Sequence, residues 1–450
     1  MTIRRQPSDF LVIERPSAAL LAALVAGRTG AATHAVYELK KESLGTPEAV
    51  QQFGKAIGVG GGKVDYAGLK DKHARTKQLV SAPLERADVP REVSGRGWSA
   101  VLKGWSERGI TAAEIDGNRF EIVVRDLSKQ QSTEMGMRAG RLAMEEVKEG
   151  SDEASETRAG KPVPLEDNTD GTPVARNLVI LNYFGAQRFG SARHGAGFLA
   201  PLLMRGEFEG ALKLSIGTPA RKDTGKTREF SRMCATHWGQ WKKLAAELPR
   251  CPERRAIETL ATGGSFAKAF EQLPSFTQQM SVEAYQSHIW NSAARRIAER
   301  MAAEFTQRWQ REGGDEAAKK TAFRPVAPLR ADDEFGVMLF PTARMVDPTW
   351  RAVVMPVLGP KTELAAPWGS AAAEALKEEG IKQEDLRIPG MRRPFFGEAD
   401  RPLFVTAEGF EMTDPEKDDL TPGGKKVKRT VRFSLGRGAY ATVVLRALGQ

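Results

Sequence analysis

The two ends of this 450-residue chain carry strand-type sequence, whereas its middle carries helix-type sequence. Short apolar runs and period-two alternation predict strands at both ends. The predicted strands are Phe10–Glu14, His34–Lys41, Val64–Ala67, Phe120–Leu127, Leu178–Phe184, Ala352–Leu358 and Val431–Leu435. From about 193 to 350 the sequence is mainly helical, with charged stretches and several tryptophans. This length favours two domains, and the layout allows both ends to build one domain with the middle inserted as a second.

Start and stop signals mark several helices. In the predicted helix Thr46–Gly58, Thr46 is placed to cap the N-terminus and Pro47 fits the first turn. A second helix is predicted at Gln131–Glu149, and Gly438–Leu448 has mixed, helix-like apolar spacing. Together with the strands, these segments predict a fold of the α+β class.

The apolar segment Ala18–Gly27 follows several arginines and loosely imitates a signal peptide. Asp9 and Glu14 interrupt the basic region that a signal peptide needs, and the apolar run is too short to span a bilayer. We therefore expect a buried helix here, in a cytoplasmic protein that does not enter a membrane. Polar sequence predicts long loops at 149–177 and Thr413–Thr430.

The charge balance and the metal-ligand residues narrow the possible chemistry. Lys and Arg exceed Asp and Glu by 67 to 57, a formal charge of +10, which attracts polyanions such as nucleic acid but also serves solubility. The two cysteines are too few for a disulfide framework or a four-thiolate zinc site. None of the five histidines stands in a metal-ligand spacing. We therefore expect no metal and no cofactor.

Two common enzyme signatures fail on inspection. A phosphate-binding loop at Gly62-Lys63 would need glycine in place of Ile57 and Ser or Thr in place of Val64. A GxSxG nucleophile elbow does not occur in the sequence. An unrelated hydrolase or nucleotide-dependent transferase therefore lacks the motif that its chemistry requires.

The segment Tyr66–Ser81 is the most unusual part of the chain, because a small-residue turn surrounds one carboxylate with cations. Asp71 has the neighbours Lys70, Lys72, His73 and Arg75. Nearby positive charge keeps a carboxylate ionised even when it is partly desolvated, which suits a nucleophile or base acting on a phosphate-rich substrate. A solvated turn of mixed charge is the simpler reading, and physical chemistry alone favours it.

Two further segments combine aromatic and basic residues. Asn182–Gly190 reads NYFGAQRFG and is suited to stacking on an unpaired base or contacting RNA backbone through Gln187 and Arg188. A domain corner filled by aromatics explains the same block equally well. Ser281–Arg296 has the apolar spacing of a core helix, although its final arginines could contact phosphate.

At these segments the sequence resembles the TruD family of pseudouridine synthases, and the resemblance covers most of the chain. The family block AG(L/M/Q)KD(K/R)xAxTxQ corresponds to Ala67–Gln78, and NYFGxQRFG corresponds to Asn182–Gly190. Further family positions are matched by Pro7, Asp9, Phe10, Val12 and Glu14, by Lys41 and Thr46, by Gly117–Phe120, and by Phe433–Thr442 with Leu445 and Arg446.

The resemblance implies a fold, a substrate and a site. The catalytic domain would be a mostly antiparallel sheet with flanking helices, built from 1–192 plus 351–450, with a TRUD domain inserted over 193–350. RNA would bind between the two domains. Asp71 would be the catalytic aspartate, and Phe120 would pack on the target base with Asn118 beside it.

Several basic residues are implied as RNA contacts or as neighbours that tune Asp71. Lys70, Lys72 and Arg75 surround the aspartate in sequence. Arg4 stands where the family usually has lysine, which retains the charge but not the shape of the side chain.

The expected function is isomerisation of uridine to pseudouridine in RNA, with uridine 13 of tRNA as the expected target, through base flipping and a catalytic aspartate. No obligatory protein partner is evident. The alternative is a catalytically silent RNA-binding protein on the same scaffold, and the presence of Asp71 and Phe120 argues against it.

Overall fold

A computed structural model describes residues 1–84, 89–144, 176–192, 195–220, 223, 225–311 and 327–450. Within these ranges the protein has the predicted mixture of helices and strands. Almost all of the predicted loop 149–177 lies outside the described residues. Its last residues, from Arg176, already belong to a strand.

The strands of the described residues gather mainly into one large sheet. In chain order they are β1 (Phe10–Pro16), β2 (His34–Glu42), β3 (Asp65–Tyr66), β4 (Arg75–Pro83), β5 (Glu92–Gly95), β6 (Trp98–Ser106), β7 (Ile115–Leu127), β8 (Arg176–Leu181), β9 (Leu329–Asp333), β10 (Gly336–Phe340), β11 (Phe404–Met412), β12 (Glu416–Lys417) and β13 (Val427–Gly436).

The large sheet has 11 strands and is mostly antiparallel, as the resemblance implies. Its main order is β5-β6-β2-β4-β1-β7-β13-β11-β8, with β3 paired to β4 and β12 paired to β13. Among the ladders of the described residues, only β1 and β4 run parallel, with Leu11 opposite Arg75 and Ile13 opposite Lys77. Strands β9 and β10 form a separate hairpin.

Helices occupy the middle of the chain and flank the sheet. They are α1 (Ala18–Ala23), α2 (Thr46–Ala56), α3 (Lys129–Leu142), α4 (Leu199–Met204), α5 (Phe208–Ile216), α6 (Gly225–Thr236), α7 (Trp241–Glu247), α8 (Arg254–Ala261), α9 (Phe266–Glu271), α10 (Ser275–Arg311), α11 (Pro348–Arg351), α12 (Gly369–Glu378) and α13 (Ala441–Ala447). None of them is long and apolar enough to cross a membrane.

Local sequence explains where two of these helices begin and end. Helix α2 has proline in its first turn, and Gly58 follows it with a φ of 75°, a left-handed conformation that favours glycine. Helix α3 begins with a capping box, in which Ser128 and Gln131 accept from each other's backbone amides. Its described part ends at Leu142, seven residues before the predicted end at Glu149, and residues 145–149 lie outside the description.

The apolar core is continuous from the large sheet into the middle of the chain. One buried cluster contains Phe433 of β13, Phe184 after β8 and Trp290 of α10. A smaller cluster joins α2 to the part of the sheet formed by β2, β4 and β6, where Phe53 packs edge-on against Tyr37 and Trp98. Packing therefore runs across the predicted boundary near residue 193, and the division into two domains stays a prediction.

Three sequence predictions are wrong in part. Ala352–Leu358 is not a strand, because it makes only isolated bridges from Val354 and Val357. Strand β13 begins at Val427, inside the predicted loop Thr413–Thr430, and β12 lies within that loop as well. Helix α1 is mostly exposed, and within it only Leu20 is buried.

A buried charge network ties the N-terminus to the turn before β13. Arg125 donates to Asp9 at 2.9 Å and to Asp418 at 2.8 Å, and the side chains of all three residues are at most 4% exposed. Asp418 also accepts from the backbone amides of Asp126 and Leu420 and from the hydroxyl of Thr421. Burial opposes ionisation of Asp418, but these hydrogen bonds prevail and lower its pKa to about 2.

We predict that acid weakens the fold through Asp418. Its folded pKa lies below the value of about 3.9 for an unfolded aspartate, so its contribution is present above pH 4 and is lost as the pH falls from 4 to 2. The contribution amounts to about 2 kcal/mol. Thermal unfolding followed by circular dichroism should give a lower melting temperature for Asp418→Asn at pH 7, and the gap to wild type should narrow towards pH 2.

Asp414→Asn is the matched control, because Asp414 lies in the same connection and is exposed. It should melt like wild type at every pH. A gap between Asp418→Asn and wild type that stays constant from pH 7 to pH 2 would contradict the assignment.

Candidate active site

The turn between β3 and β4 presents Asp71 at the surface of the sheet. The Asp71 side chain is 22% exposed, so a ligand can reach it. Its Oδ2 lies 2.7 Å from Nη2 of Arg4, and its Oδ1 accepts from the backbone amide of His73 at 3.0 Å. Each carboxylate oxygen therefore has one partner, a guanidinium group or a backbone amide.

Side chains from three directions hold the backbone of this turn. Lys41 Nζ donates to the carbonyl of Asp71 at 2.8 Å and reaches the carbonyl of Lys70 at 3.4 Å. Thr46 Oγ1 accepts from the amide of Lys70 at 3.0 Å, and Gln78 Nε2 donates to the carbonyl of Gly68 at 3.2 Å. The turn is thus fixed on both sides of Asp71 and is not a freely solvated loop.

Lys41 is a buried cation directly beneath the turn. The residue is 2% exposed. Burial lowers its pKa to about 8, although the attraction of Asp71 opposes the shift and the repulsion of Lys70 adds to it. At neutral pH its ammonium group is charged and supplies positive potential close to Asp71.

Glu14 and Lys70 form a second support inside the sheet. Lys70 Nζ lies 2.6 Å from Glu14 Oε2, and the two side chains are 5% and 1% exposed. The other carboxylate oxygen of Glu14 accepts from the backbone amide of Leu79 at 3.1 Å. The ammonium of Lys70 is therefore enclosed by protein and supports the turn, whereas the sequence suggested an RNA contact.

Arg4 links Asp71 to an aromatic wall. Its guanidinium carbon lies 4.2 Å from the centroid of the Phe10 ring. Phe10 packs edge-on against Phe120 at 6.3 Å, and Phe120 lies 5.6 Å from Phe433. Arg4 has a φ of 62°, a conformation rarely adopted by residues other than glycine and often retained at functional sites. Arg4 contacts Asp71 directly, and it is connected to Phe120 through the ring of Phe10.

Asn118 lies two residues before Phe120 on β7, opposite Glu14 of β1 and Leu435 of β13. Its side-chain oxygen is buried, and no donor among the described residues reaches it. An acceptor in this condition is costly unless a ligand or water satisfies it. The Thr76 hydroxyl oxygen of β4 is buried in the same condition.

The remaining residues around Asp71 are exposed. Lys72 is exposed, and Arg75 donates to Glu42 at 2.9 Å with more than half of its side chain in solvent. Leu69 is 67% exposed although it is apolar, and it stands between the two pinned residues Gly68 and Lys70. The surface of the turn is therefore positively charged, and the apolar side chain of Leu69 is exposed on it.

Gln187 and Arg188 lie in the segment between β8 and α4, outside the turn that carries Asp71. Gln187 is exposed. Arg188 pairs with Glu283 of α10 at 2.7 Å. Within the described part of the chain, no ion pair joins it to the Asp71 turn. Farther along α10, Arg295 and Arg296 pair with Glu378, so they are already neutralised by carboxylates.

Sequence reasoning missed how Thr46 and Gln78 act. Thr46 was expected to cap α2, but Gly45 occupies the cap position and the Thr46 hydroxyl bonds to Lys70 and Gln78 instead. Gln78 is 2% exposed and stands in a strand. A buried glutamine in a strand needs polar partners, but the sequence does not reveal which partners it has.

Comparison with known proteins identifies the family of this chain. A sequence model of the family described as tRNA pseudouridine synthase D (TruD) matches residues 1–448. The tRNA pseudouridine synthase D of Aquifex aeolicus is 26% identical over 420 residues, covering 92% of this chain and 91% of that protein. A probable tRNA pseudouridine synthase D of Halobacterium salinarum is 29% identical over 416 residues, covering 89% and 82% respectively.

The fold has a counterpart among solved structures. The crystal structure of a putative tRNA pseudouridine synthase D (TruD) from Methanosarcina mazei superimposes with a TM-score of 0.60 at 22% identity. The match covers 99% of this chain and 92% of that one. With the sequence matches, it places the chain among the pseudouridine synthases, which are isomerases. Within that class, the chain belongs to the TruD family.

We predict that Lys41→Met loosens the turn around Asp71. The substitution keeps the length of the side chain but removes the donor to the carbonyls of Lys70 and Asp71. Amide hydrogen exchange of Lys70 and His73, followed by NMR or mass spectrometry, should accelerate by about tenfold, the effect of about 1.4 kcal/mol. Lys40→Met is the control, because Lys40 is exposed and contacts Glu38 instead.

Lys41 also predicts a dependence of stability on pH. Its folded pKa of about 8 lies below the value of about 10.4 in an unfolded chain, so the unfolded state binds more protons between these values. Wild type should therefore gain about 1–2 kcal/mol relative to Lys41→Met as the pH rises from 8 to 9.5. Chemical denaturation at both pH values tests this, and an unchanged difference would refute it.

Proposed function

We propose that this protein isomerises uridine to pseudouridine in tRNA, at uridine 13, with Asp71 as the catalytic carboxylate. Membership of the TruD family supports the reaction and the substrate class. The observation that supports Asp71 most directly is its position. It is a partly exposed carboxylate on a turn held by Lys41, Thr46 and Gln78, and Arg4 joins it to the wall that contains Phe120.

The proposed reaction conserves all atoms of the substrate. The N1–C1′ bond of uridine breaks, the uracil turns, and a C5–C1′ bond forms. C5 loses its hydrogen as a proton, and N1 gains one. Asp71 acts either as the nucleophile at the sugar or as the base that removes a sugar proton, and both routes remain open.

Extraction of the uridine from its stack is the first step of the proposal. Unstacking costs a few kcal/mol, which contacts to the extruded base can offset. Phe120 is 8% exposed, so the accessible part of its ring would pack on the base while Phe10 and Phe433 support the rest. The unpaired side-chain oxygen of Asn118 would accept from the N3–H of uracil.

Basic residues around the turn would contact RNA backbone. Lys72 and Arg75 are exposed beside Asp71, and Arg4 is 27% exposed. Gln187 and Arg188 would contact RNA from the segment between β8 and α4. In this proposal, a sheet domain of 1–192 plus 351–450 carries the chemistry, and an inserted domain of 193–350 contributes to RNA binding.

We predict that Asp71→Asn abolishes tritium release from tRNA labelled at C5 of uridine. The amide cannot act as nucleophile or base, so the rate should fall by at least about 10³-fold. The assay uses tRNA transcripts without added metal or nucleotide, and sequencing of the product after pseudouridine-specific derivatisation checks whether position 13 is modified. Circular dichroism should show that the variant is folded.

Asp65→Asn is the matched control, because Asp65 lies just before the turn on β3 and is half exposed. It should release tritium like wild type. Release by Asp71→Asn at the wild-type rate would keep the activity but overturn the role of the carboxylate. If wild type binds tRNA and releases no tritium from any transcript, the silent RNA-binding protein becomes the better explanation.

A further inference from the structure

The described part of the chain exposes very few aromatic rings. Only Phe276 and Phe395 among its aromatic residues are exposed, by 73% and 53%. They are more than one hundred residues apart in sequence, in different segments of the fold. Exposure of a phenylalanine ring to water is unfavourable. Two exposed rings that lie close together are therefore typical of a binding surface.

The fold brings these two rings to the same end of α10. Gln279, one turn after Phe276, donates its side-chain amide to the backbone carbonyl of Phe395 at 3.2 Å. Farther along the same helix, Gln286 donates to the carbonyl of Gly397 at 2.7 Å. The segment 395–397 is therefore fixed along the helix. Its Phe395 end lies nearer to Phe276 than its Gly397 end does.

The Phe395 ring is held in place although it is exposed. Its neighbours Pro394 and Phe396 are buried. A side chain added at Gly397 would lie 3.2 Å from the ring, so the absence of a side chain at Gly397 makes room for it. A ring with a fixed backbone and an exposed face loses little entropy when it stacks on a ligand.

Phe276 also continues a stripe of α10 that holds Arg188. Residues four, seven and eleven positions after Phe276 lie on the same helical face. At these positions, Met280, Glu283 and Ser287 contact the Arg188 guanidinium at 4.0, 2.7 and 3.2 Å. The two exposed rings are therefore contiguous with the NYFGAQRFG segment.

The segment that leads into Phe395 is strongly basic. Arg387, Arg392 and Arg393 are exposed, and residues 386–397 contain no acidic residue. Among the described residues, no carboxylate lies within ion-pairing distance of Arg392 or Arg393. Unneutralised guanidinium groups beside exposed rings are the combination that binds single-stranded nucleic acid, through phosphate contacts and base stacking.

We propose that Phe276, Phe395, Arg392 and Arg393 form a stacking surface for unpaired nucleotides of the RNA substrate. The proposal rests on the proposed function for the identity of the RNA. The phenylalanine rings stack on bases without reading their sequence, and the arginines contact the backbone. This surface gives affinity for a folded RNA that presents unpaired loop nucleotides, and it takes no part in bond making.

The test combines Phe276→Ala with Phe395→Ala and measures binding of a tRNA transcript by fluorescence anisotropy. Loss of stacking on one or two bases should weaken binding by at least about tenfold. The KM for tRNA should rise by a similar factor, whereas kcat should stay within about twofold of wild type. For Arg392→Ala with Arg393→Ala, the slope of log Kd against log salt concentration should become shallower by about 1.4.

The matched control combines Leu21→Ala with Met137→Ala, which removes exposed apolar side chains of 54% exposure each from other helices. This control should bind tRNA like wild type. Unchanged tRNA binding by the double phenylalanine variant overturns the proposal. So does a change of its sedimentation coefficient without a change in RNA binding, which would assign the surface to a protein contact. Binding is read without catalysis, so an inactive but tRNA-binding wild type would refute the proposed function alone.

Discussion

The buried pair of Glu14 and Lys70 is the interaction on which the geometry of the candidate site depends. The parallel pairing of β1 with β4 has its last backbone partners at Ile13 and Lys77. Immediately beyond them, the Glu14 side chain continues the link between the two strands. One of its oxygens accepts from the Leu79 amide, and the other pairs with the Lys70 ammonium. Removal of one member of such a pair leaves a buried charge uncompensated, which costs on the order of 3–5 kcal/mol. The pair thereby joins the strand β1 to the turn that carries Asp71.

The order of the strands places the other site residues on one face of the sheet. Side chains two residues apart share a face, as do direct partners in neighbouring strands. Phe10 and Glu14 of β1 therefore share a face with Phe120 and Asn118 of β7, and Phe433 of β13 continues it. Because β1 is the neighbour of both β4 and β7, the turn before β4 lies beside this aromatic face.

Segments in which the local sequence pattern agrees with the burial of the side chains could be predicted from the sequence. Segments in which polar side chains are buried to support the candidate site were missed. Strand β1 and helix α2 have clear periodicity. Strand β4 was missed because its first half, Arg75–Gln78, is polar. The strand nevertheless buries Thr76 and Gln78, and the Gln78 side chain binds the turn. Ala352–Leu358 is apolar enough for a strand, yet its Pro356 has no amide to donate to a ladder. Asp71, Arg4 and Phe120 came from the family resemblance, whereas the supporting roles of Lys41 and Thr46 depend on contacts that span about 30 residues and leave no local pattern.

Arg4 explains how the carboxylate can be both held and released in the proposed reaction. Asp71 Oδ1 is bound by an amide two residues away, whereas among the described residues Oδ2 is bound by the guanidinium of Arg4 alone. To reach the sugar, the carboxylate has to exchange the contact with Arg4 for one with substrate. The Phe10 ring can keep the planar guanidinium in place during this exchange, because stacking does not use its N–H donors. A lysine at this position would supply the charge without the planar contact. The left-handed backbone conformation of Arg4 costs ~1–2 kcal/mol. This conformation positions the guanidinium between the Asp71 carboxylate and the Phe10 ring.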